Sequence, residues 1–163
     1  MEEKFKILFV CLGNICRSPA AETIMRKVVE DNGYSDKISV SSCGLIDYHE
    51  GYPADSRMIS AAEKRGYIIT HSARKIAVED FSRYDLIVGM DSKNITRLQG
   101  MCPREGMMIT KIISVAQFFE KYSDKTYVPD PYYGTEGDFN YALDLLEDAC
   151  NGILKYVREK RNF

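Results

Sequence analysis

Near the N-terminus stands Lys6-Ile-Leu-Phe-Val-Cys-Leu-Gly-Asn-Ile-Cys-Arg-Ser-Pro19, in which an apolar run passes directly into a short polar loop. Ile7–Val10 has the length and composition of a strand buried on both faces, as in a parallel sheet. Ser18 and Pro19 predict the start of a helix, because serine caps free amides and proline suits the first helical position. The stretch therefore predicts a strand, a tight loop over residues 11–17 and a helix.

Residues 11–17 have the composition of an anion site. Backbone amides that converge at a helix N-terminus bind a tetrahedral oxyanion such as phosphate. Gly13 and Asn14 best tolerate the positive φ angles that such a loop requires. Cys11 would face the same point, where the amides, the helix dipole and Arg17 stabilise a nucleophilic thiolate. The alternative is a cysteine buried in the core at a strand end.

The spacing of Cys11 and Arg17 distinguishes between two kinds of phosphate-binding loop. Arg17 follows Cys11 after five intervening residues, so its planar guanidinium can return over the loop and hold two phosphate oxygens. A nucleotide-binding P-loop would instead need Gly-Lys-Ser/Thr, which is absent here. The pattern Cys-x5-Arg-Ser therefore favours a phosphatase loop.

The composition of the chain limits its function. Its 163 residues fit one domain spanning residues 1–163, and the net charge of −2 argues against a nucleic-acid or anionic-membrane partner. No apolar run is long enough for a bilayer span or a signal peptide, so we expect a cytoplasmic protein without membrane insertion. Five cysteines without a Cys-x-x-Cys pair, and two histidines, favour neither a disulfide framework nor a zinc site.

Strand and helix patterns alternate along the rest of the chain. Strands are expected at 38–42, 86–90 and 109–113, and helices after Asp55, from Asp91 or Ser92 and, briefly, at 115–119. A short turn is expected at 78–84, and a long loop at 120–137 precedes the last helix. This order predicts an α/β fold, a four-stranded parallel sheet flanked by helices on both faces, with the phosphatase loop after the first strand. Ligands on such sheets bind at the carboxyl ends of the strands, where Cys11 is expected.

A second stretch suited to chemistry is Val128-Pro-Asp-Pro-Tyr-Tyr-Gly134, in the long predicted loop. The flanking prolines restrict Asp130, so its carboxyl could be held over a neighbouring site at little entropic cost. Such a carboxyl could protonate the leaving oxygen of a phosphate ester and then activate water. The alternative is a plain turn at Asp130, with Tyr132 and Tyr133 packed on the surface instead of lining a slot for an aromatic leaving group.

The two stretches together resemble the low molecular weight protein tyrosine phosphatases. Cys11-Leu-Gly-Asn-Ile-Cys-Arg-Ser-Pro19 and Asp130-Pro-Tyr-Tyr-Gly134 occur in the family's order and spacing, and the similarity covers nearly the whole chain. The resemblance implies that Cys11 is the nucleophile that becomes phosphocysteine, that Arg17 binds the phosphoryl oxygens and that Asp130 is the general acid, with no metal or cofactor. The implied partners are tyrosine-phosphorylated proteins. The sequence leaves open a tyrosine kinase of the same cell, a host protein or a small phosphate ester.

The resemblance also implies roles for residues around these three. Phosphate or substrate binding is implied for Leu12, Gly13, Asn14, Ile15, Cys16, Tyr48, Tyr132 and Tyr133, and support of the loop for Asn14, Ser18, Ser42, His71 and Asp91. His71 could instead be a surface histidine, and Asp91, expected to orient Arg17, could be a plain helix cap. Tyr48 stands where bacterial members often carry tryptophan and Leu45 where threonine is usual, so substrate preference stays open.

Cys16 has two interpretations. The resemblance implies a reversible disulfide with Cys11 that protects the nucleophile from further oxidation. The alternative is a small side chain packed under the loop.

Three other functions are weaker fits. An arsenate reductase would need relay cysteines, and none occurs between Ser82 and Gly89. A protein-arginine phosphatase would resemble members with threonine at the position of Ile15, and isoleucine favours a flat aromatic ring. A module that binds phosphotyrosine without turnover would be expected to have lost Cys11 or Asp130.

Overall fold

A parallel sheet forms the centre of the computed structural model, which describes residues 3–104, 106 and 108–163. Within these residues the sheet has four strands in the order β2-β1-β3-β4, all parallel. The strands are β1 (Phe5–Cys11), β2 (Ile38–Gly44), β3 (Leu86–Gly89) and β4 (Ile112–Ser114). The predicted four-stranded parallel sheet is therefore confirmed.

Helices cover both faces of the sheet. They are α1 (Arg17–Asp31), α2 (Ser56–Glu63), α3 (Asp80–Arg83), α4 (Ser92–Met101) and α5 (Glu136–Arg161), with 3₁₀ turns at Met108–Lys111 and Val115–Phe118. Ile7 and Phe9 of β1 pack with α1, α2 and α5, whereas Leu8 and Val10 pack with α3 and α4 on the opposite face. All four side chains are fully buried, because alternate strand residues point to opposite faces of the sheet. This is why the run is apolar without alternation.

The start of α1 differs from the prediction. The helix begins at Arg17, with Cys16 at its N-cap, whereas Ser18 was expected to be the cap. The Ser18 hydroxyl lies 3.0 Å from Cys11 Sγ instead. It therefore contacts the end of β1 and does not cap the helix. The caps expected at Asp55 and Asp91 are confirmed, since their carboxylates accept hydrogen bonds from Arg57 N and Asn94 N.

Other boundaries also shift. The fourth strand was predicted at 109–113 but occupies Ile112–Ser114, because the chain before it turns as a 3₁₀ helix in which Ile109 is half exposed. Part of the turn predicted at 78–84 is the short helix α3. The loop predicted at 120–137 ends earlier, because Thr135 and Asp138 form a reciprocal capping box that starts α5 at Glu136. Strand β2 runs on to Gly44 and β3 ends at Gly89.

The carboxyl ends of the strands bring the two motifs together. Cys11 pairs with Gly44 at the ends of β1 and β2. A Cβ at Gly44 would lie 3.0 Å from Leu12 O, so the absence of a side chain lets β2 approach the loop over residues 11–17. Val128 N donates to Met90 O at 2.9 Å, which attaches the segment that carries Asp130 to the end of β3. Among the described residues, no helix is long and apolar enough to cross a membrane.

Candidate active site

Cys11 is the last residue of β1, and its side chain is almost wholly shielded from solvent. The nearest polar side-chain atom is the Ser18 hydroxyl, 3.0 Å from Sγ. Ser18 lies in the first turn of α1, so strand, loop and helix all converge on the sulfur. A hydroxyl at this distance can donate to a thiolate.

The shape of the loop depends on Asn14, which is fully buried and adopts the left-handed conformation with φ 58°. Its Nδ2 donates to Ser18 Oγ at 2.8 Å and to Ser42 Oγ at 3.1 Å. Its Oδ1 accepts from Arg74 N at 3.0 Å, and its carbonyl oxygen lies 2.8 Å from His71 Nε2. Four contacts therefore hold the one strained residue of the loop, including those to Ser42 and His71.

Gly13 serves the loop differently from the prediction. It does not adopt a positive φ angle, which among the loop residues is found at Asn14. A Cβ at Gly13 would lie 3.0 Å from His49 Cδ2. At this position glycine allows a close approach of the His49 ring, and no positive φ angle calls for it.

Arg17 is 3% exposed and is held from several sides. Its Nη1 donates to Asp91 Oδ2 at 2.7 Å and to the Val128 carbonyl oxygen at 2.9 Å, and its Nη2 lies 3.7 Å from Asp130 Oδ2. Burial opposes the positive charge, but Cys11, Asp91 and Asp130 outweigh it and raise the pKa of Arg17. Arg17 is thus a permanent cation beside Asp130, in the cleft that Cys11 also lines.

Asp91 makes both contacts that the sequence left as alternatives. One carboxylate oxygen binds Arg17, and the other accepts from Asn94 N at 2.8 Å as the cap of α4. The N-terminus of α4 therefore holds the Asp91 carboxylate in place, and Asp91 in turn orients Arg17.

Asp130 lies at the mouth of the site, with 43% of its side chain exposed. Its Oδ1 accepts from Tyr132 N at 3.1 Å, and Gly134 N donates to Pro131 O at 2.8 Å. The segment is therefore a turn, as the simpler interpretation held. The same turn also places the carboxyl beside Arg17.

A cleft of about 310 Å³ opens above Cys11. It is lined by Cys11, Leu12, Gly13, Ile15, Cys16, Arg17, Ile46, Tyr48, His49, Asp130, Tyr132 and Tyr133. Tyr132 and Tyr133 meet edge to face with ring centroids 4.9 Å apart, and Tyr48 meets His49 in the same way at 4.9 Å. Aromatic side chains from two separate loops therefore form the walls, and the thiol and guanidinium lie at the base.

Cys16 lines the same cleft as Cys11. Burial, followed by the nearby carboxylate of Asp55, raises the pKa of Cys16. Cys16 is therefore a protonated thiol at neutral pH, unlike a nucleophile.

Several residues of the site were not anticipated from the sequence, among them Ile46 of the cleft and Arg74, whose amide contacts Asn14. His49 lies between the aromatic walls, with its ring 6.3 Å from that of Tyr132. Arg57 places its guanidinium 5.4 Å from the Tyr132 ring centroid. Glu22 accepts a hydrogen bond from Ser42 at 2.7 Å. Only Glu22 had a usable signal, because it follows Ser18 by one helical turn on the buried side of α1.

Comparisons with known proteins agree with this geometry. The sequence matches the family described as low molecular weight phosphotyrosine protein phosphatase over residues 6–162. It is 35% identical over 161 residues to the low molecular weight protein-tyrosine-phosphatase of Streptomyces coelicolor, covering 96% of this chain and 95% of the relative.

Solved structures give the same result. The fold is similar to a protein tyrosine phosphatase from Entamoeba histolytica, with a TM-score of 0.93, 41% identity and coverage of 97% of this chain and 99% of that one. It is also similar to a Drosophila arginine phosphatase, with a TM-score of 0.85, 30% identity and coverage of 94% and 98%. Because the family match spans residues 6–162 and a relative is 35% identical over nearly its whole length, the chain belongs to the low molecular weight phosphotyrosine protein phosphatases, a family of protein-tyrosine phosphatases.

Proposed function

We propose that this protein hydrolyses phosphotyrosine in proteins, and aryl phosphates generally, through a phosphocysteine intermediate. The observation that carries the proposal is the position of Arg17, whose Nη2 lies 3.7 Å from Asp130 at the base of the cleft that Cys11 lines. The cation of Arg17 therefore lies beside the proposed acid, in the cleft that the proposed nucleophile lines.

In the first step, Cys11 Sγ attacks phosphorus in line with the leaving tyrosyl oxygen. The amides of residues 12–17 and the guanidinium of Arg17 bind the three equatorial oxygens, where charge is concentrated in the transition state. Because Asp91 and Val128 hold Nη1, Arg17 offers its remaining donors in a fixed orientation. As the phosphorus–oxygen bond breaks, Asp130 gives its proton to the tyrosyl oxygen.

In the second step, water replaces tyrosine in the cleft. The ionised Asp130 takes a proton from this water, whose oxygen attacks phosphorus and displaces Cys11 as a thiolate. Ser18, whose hydroxyl lies 3.0 Å from Sγ, stabilises the departing thiolate by donating to it. The products are inorganic phosphate and free enzyme, and no metal or cofactor enters either step.

The aromatic walls support a preference for tyrosine. Tyr48, Tyr132 and Tyr133 provide flat surfaces that can contact a phenyl ring, and Ile15 adds an apolar surface near the loop. A phosphoserine side chain has no ring to fill the space between these walls.

Tyrosine-phosphorylated proteins are the proposed substrates, and a tyrosine kinase of the same cell is one predicted partner. The family match from residue 6 to residue 162 supports the expectation of a single domain over residues 1–163. A cytoplasmic location stays a prediction from the sequence.

The deciding experiment compares phosphate release from a phosphotyrosine, a phosphoserine and a phosphoarginine peptide of matched sequence. The Cys11→Ser variant is the blank, because its hydroxyl is a far weaker nucleophile in the same geometry. We expect phosphotyrosine to react fastest and the variant to release no phosphate. Faster release from phosphoarginine would contradict the proposed preference, and turnover by Cys11→Ser would contradict the proposed mechanism.

A further inference from the structure

Glu22 is a buried carboxylate for which the proposed mechanism has no use. It lies on α1, is 8% exposed and contacts two polar groups. Its Oε1 accepts a hydrogen bond from the Ser42 hydroxyl at 2.7 Å, and its Oε2 lies 2.8 Å from Arg26 Nη2. A carboxylate is costly to bury, so a position of this kind is retained only where its contacts compensate for lost hydration. The contact with Ser42 joins Glu22 to the network around Cys11.

The network begins at Asn14, whose side-chain amide has one orientation that satisfies its neighbours. Arg74 N donates to Oδ1 at 3.0 Å, so the amide oxygen must face that N–H. Nδ2 consequently faces the two hydroxyls and donates to Ser18 Oγ at 2.8 Å and to Ser42 Oγ at 3.1 Å. Both serine oxygens therefore act as acceptors towards Asn14.

Each serine hydroxyl has a single proton to donate elsewhere. The proton of Ser42 goes to Glu22. The Ser18 hydroxyl has two neighbours left, Cys11 Sγ at 3.0 Å and the more distant Cys43 carbonyl oxygen at 3.5 Å. The hydrogen bonds thus run in one direction from Asn14, and one branch ends in donation to the sulfur.

Loss of the Glu22 carboxylate would favour a competing arrangement. Without it, the buried Ser42 proton has no acceptor, and rotation of the Asn14 amide by half a turn would provide one at Oδ1. That oxygen would then also accept the Ser18 proton, which would be drawn away from Cys11. Nδ2 would meet Arg74 N–H, donor against donor, so the competing arrangement is not free of cost. Glu22 and the Arg74 amide therefore both oppose this rotation.

We propose that Glu22 is a positioning residue, which accepts the Ser42 proton and so keeps the Ser18 hydroxyl directed at the Cys11 thiolate. The inference rests on the proposed function, since it gives Cys11 the role of nucleophile. It adds to that function a carboxylate that never touches the substrate.

The test measures the rate at which iodoacetate alkylates Cys11 at neutral pH, together with kcat/KM for p-nitrophenyl phosphate. Glu22→Ala should lower both about tenfold, the effect of losing one hydrogen bond to a charged group. Glu22→Gln should stay within about threefold of the wild type, because its amide oxygen can still accept from Ser42. Glu22→Met, which fills similar space without a comparable acceptor, should behave like Glu22→Ala and replaces it if the alanine variant does not fold.

A double-mutant cycle tests whether the effect passes through Ser42. In a Ser42→Ala background the hydroxyl proton is gone, so Glu22→Ala should cause little further loss in either rate. Glu30→Ala, on the same helix but outside the network, should leave both rates unchanged.

Three results would overturn the inference. The first is an alkylation rate of Glu22→Ala equal to that of the wild type, and the second is a Glu22→Gln variant as slow as Glu22→Ala. The third is a loss of alkylation rate in Arg26→Leu equal to that in Glu22→Ala, which would assign the effect to the salt bridge between Arg26 and Glu22. Alkylation requires only the thiolate, so these comparisons judge Glu22 even if phosphotyrosine proves not to be the substrate. A wild type without phosphatase activity would contradict the proposed function alone.

Discussion

The guanidinium of Arg17 donates a 2.7 Å hydrogen bond from Nη1 to Oδ2 of Asp91, which is 74 positions further along the chain. Asp91 is itself fixed by capping α4, through a 2.8 Å bond from Asn94 N. A flexible side chain from α1 is thereby anchored by an element on the other side of β1. Under the proposed mechanism, pre-orientation of this kind would lower the entropy lost when the guanidinium binds a phosphoryl group.

The two contacts of Asp91 can be separated by replacing it with serine. Serine still caps α4, so we expect the variant to fold, but with a lower unfolding temperature, because the buried Arg17 loses one of its counter-charges. Serine cannot form the charged hydrogen bond with Arg17, worth about 1.5–3 kcal/mol, so kcat/KM for an aryl phosphate should fall by about 10- to 100-fold. Inhibition by inorganic phosphate should weaken in parallel. Unchanged kinetics in a folded Asp91→Ser variant would show that Arg17 needs no such anchor.

The role of Asp130 can be tested through the leaving group. Asp130→Ala should slow cleavage of phosphotyrosine by about 10²- to 10⁴-fold, the usual effect of losing a positioned acid. The loss should be smaller for p-nitrophenyl phosphate, because nitrophenolate departs without a proton. Rates for the two substrates, measured side by side, check the expected difference.

Asp130→Asn is the matched control, since the amide oxygen can still accept from Tyr132 N and preserve the turn. If asparagine restores the rate, Asp130 acts by holding the turn and not as a proton donor. Equal losses in the two variants would assign the effect to the missing proton.

The parts of the fold and site that could be predicted from the sequence depend on contacts close in the chain. Ile7–Val10 is apolar on both faces because helices cover both, and the spacing of Cys11 and Arg17 is set by a single tight loop. The Asp130 segment could be placed near this loop only through the family resemblance, because no local pattern states which strand end it meets. The attachment of Val128 to Met90 lies outside any local pattern.

The sequence-based predictions that were wrong share a physical cause, which is contact with residues in other elements of the fold. Serine is a residue type that caps helices, but the Ser18 hydroxyl contacts Cys11 Sγ, and Cys16 occupies the N-cap position. Gly13 was expected to adopt a positive φ angle, whereas in the structure it allows the close approach of the His49 ring. His49 itself had no signal beyond lying next to Tyr48. In each case the residue type limits what a position can do, but its actual role depends on a contacting residue from another part of the chain.

Stability should fall at alkaline pH because of buried thiols such as Cys150. Burial raises the pKa of Cys150, whereas an unfolded cysteine titrates near pH 8.5. Above that pH the unfolded chain loses a proton that the folded chain keeps, so the free energy of unfolding decreases as pH rises. One such thiol accounts for about 2 kcal/mol between pH 8.5 and pH 10. Below pH 8.5 its contribution to stability is fully present.

Urea unfolding of Cys150→Ala under reducing conditions measures this effect. The variant should be less stable than the wild type at pH 7, because it loses packing, and the difference should shrink as pH rises to 10. Ile153→Val, buried on the same helix, is the control and should remain about 1 kcal/mol less stable at every pH. A constant difference for Cys150→Ala would mean that its thiol ionises equally in both states.

Peroxide provides the test for Cys16. Oxidation of the Cys11 thiolate gives a sulfenic acid, which condenses with the Cys16 thiol to form a disulfide and release water. Since burial raises the pKa of Cys16, little thiolate is available, and we expect the disulfide to form more slowly than the sulfenic acid. Peptide mapping by mass spectrometry should find the Cys11–Cys16 cross-link, and a thiol reductant should restore activity. Cys16→Ser should recover less, because its sulfenic acid is left open to irreversible oxidation, while Cys102→Ser should match the wild type. Absence of the cross-link, together with full recovery of Cys16→Ser, would leave Cys16 as a packing residue beneath the loop.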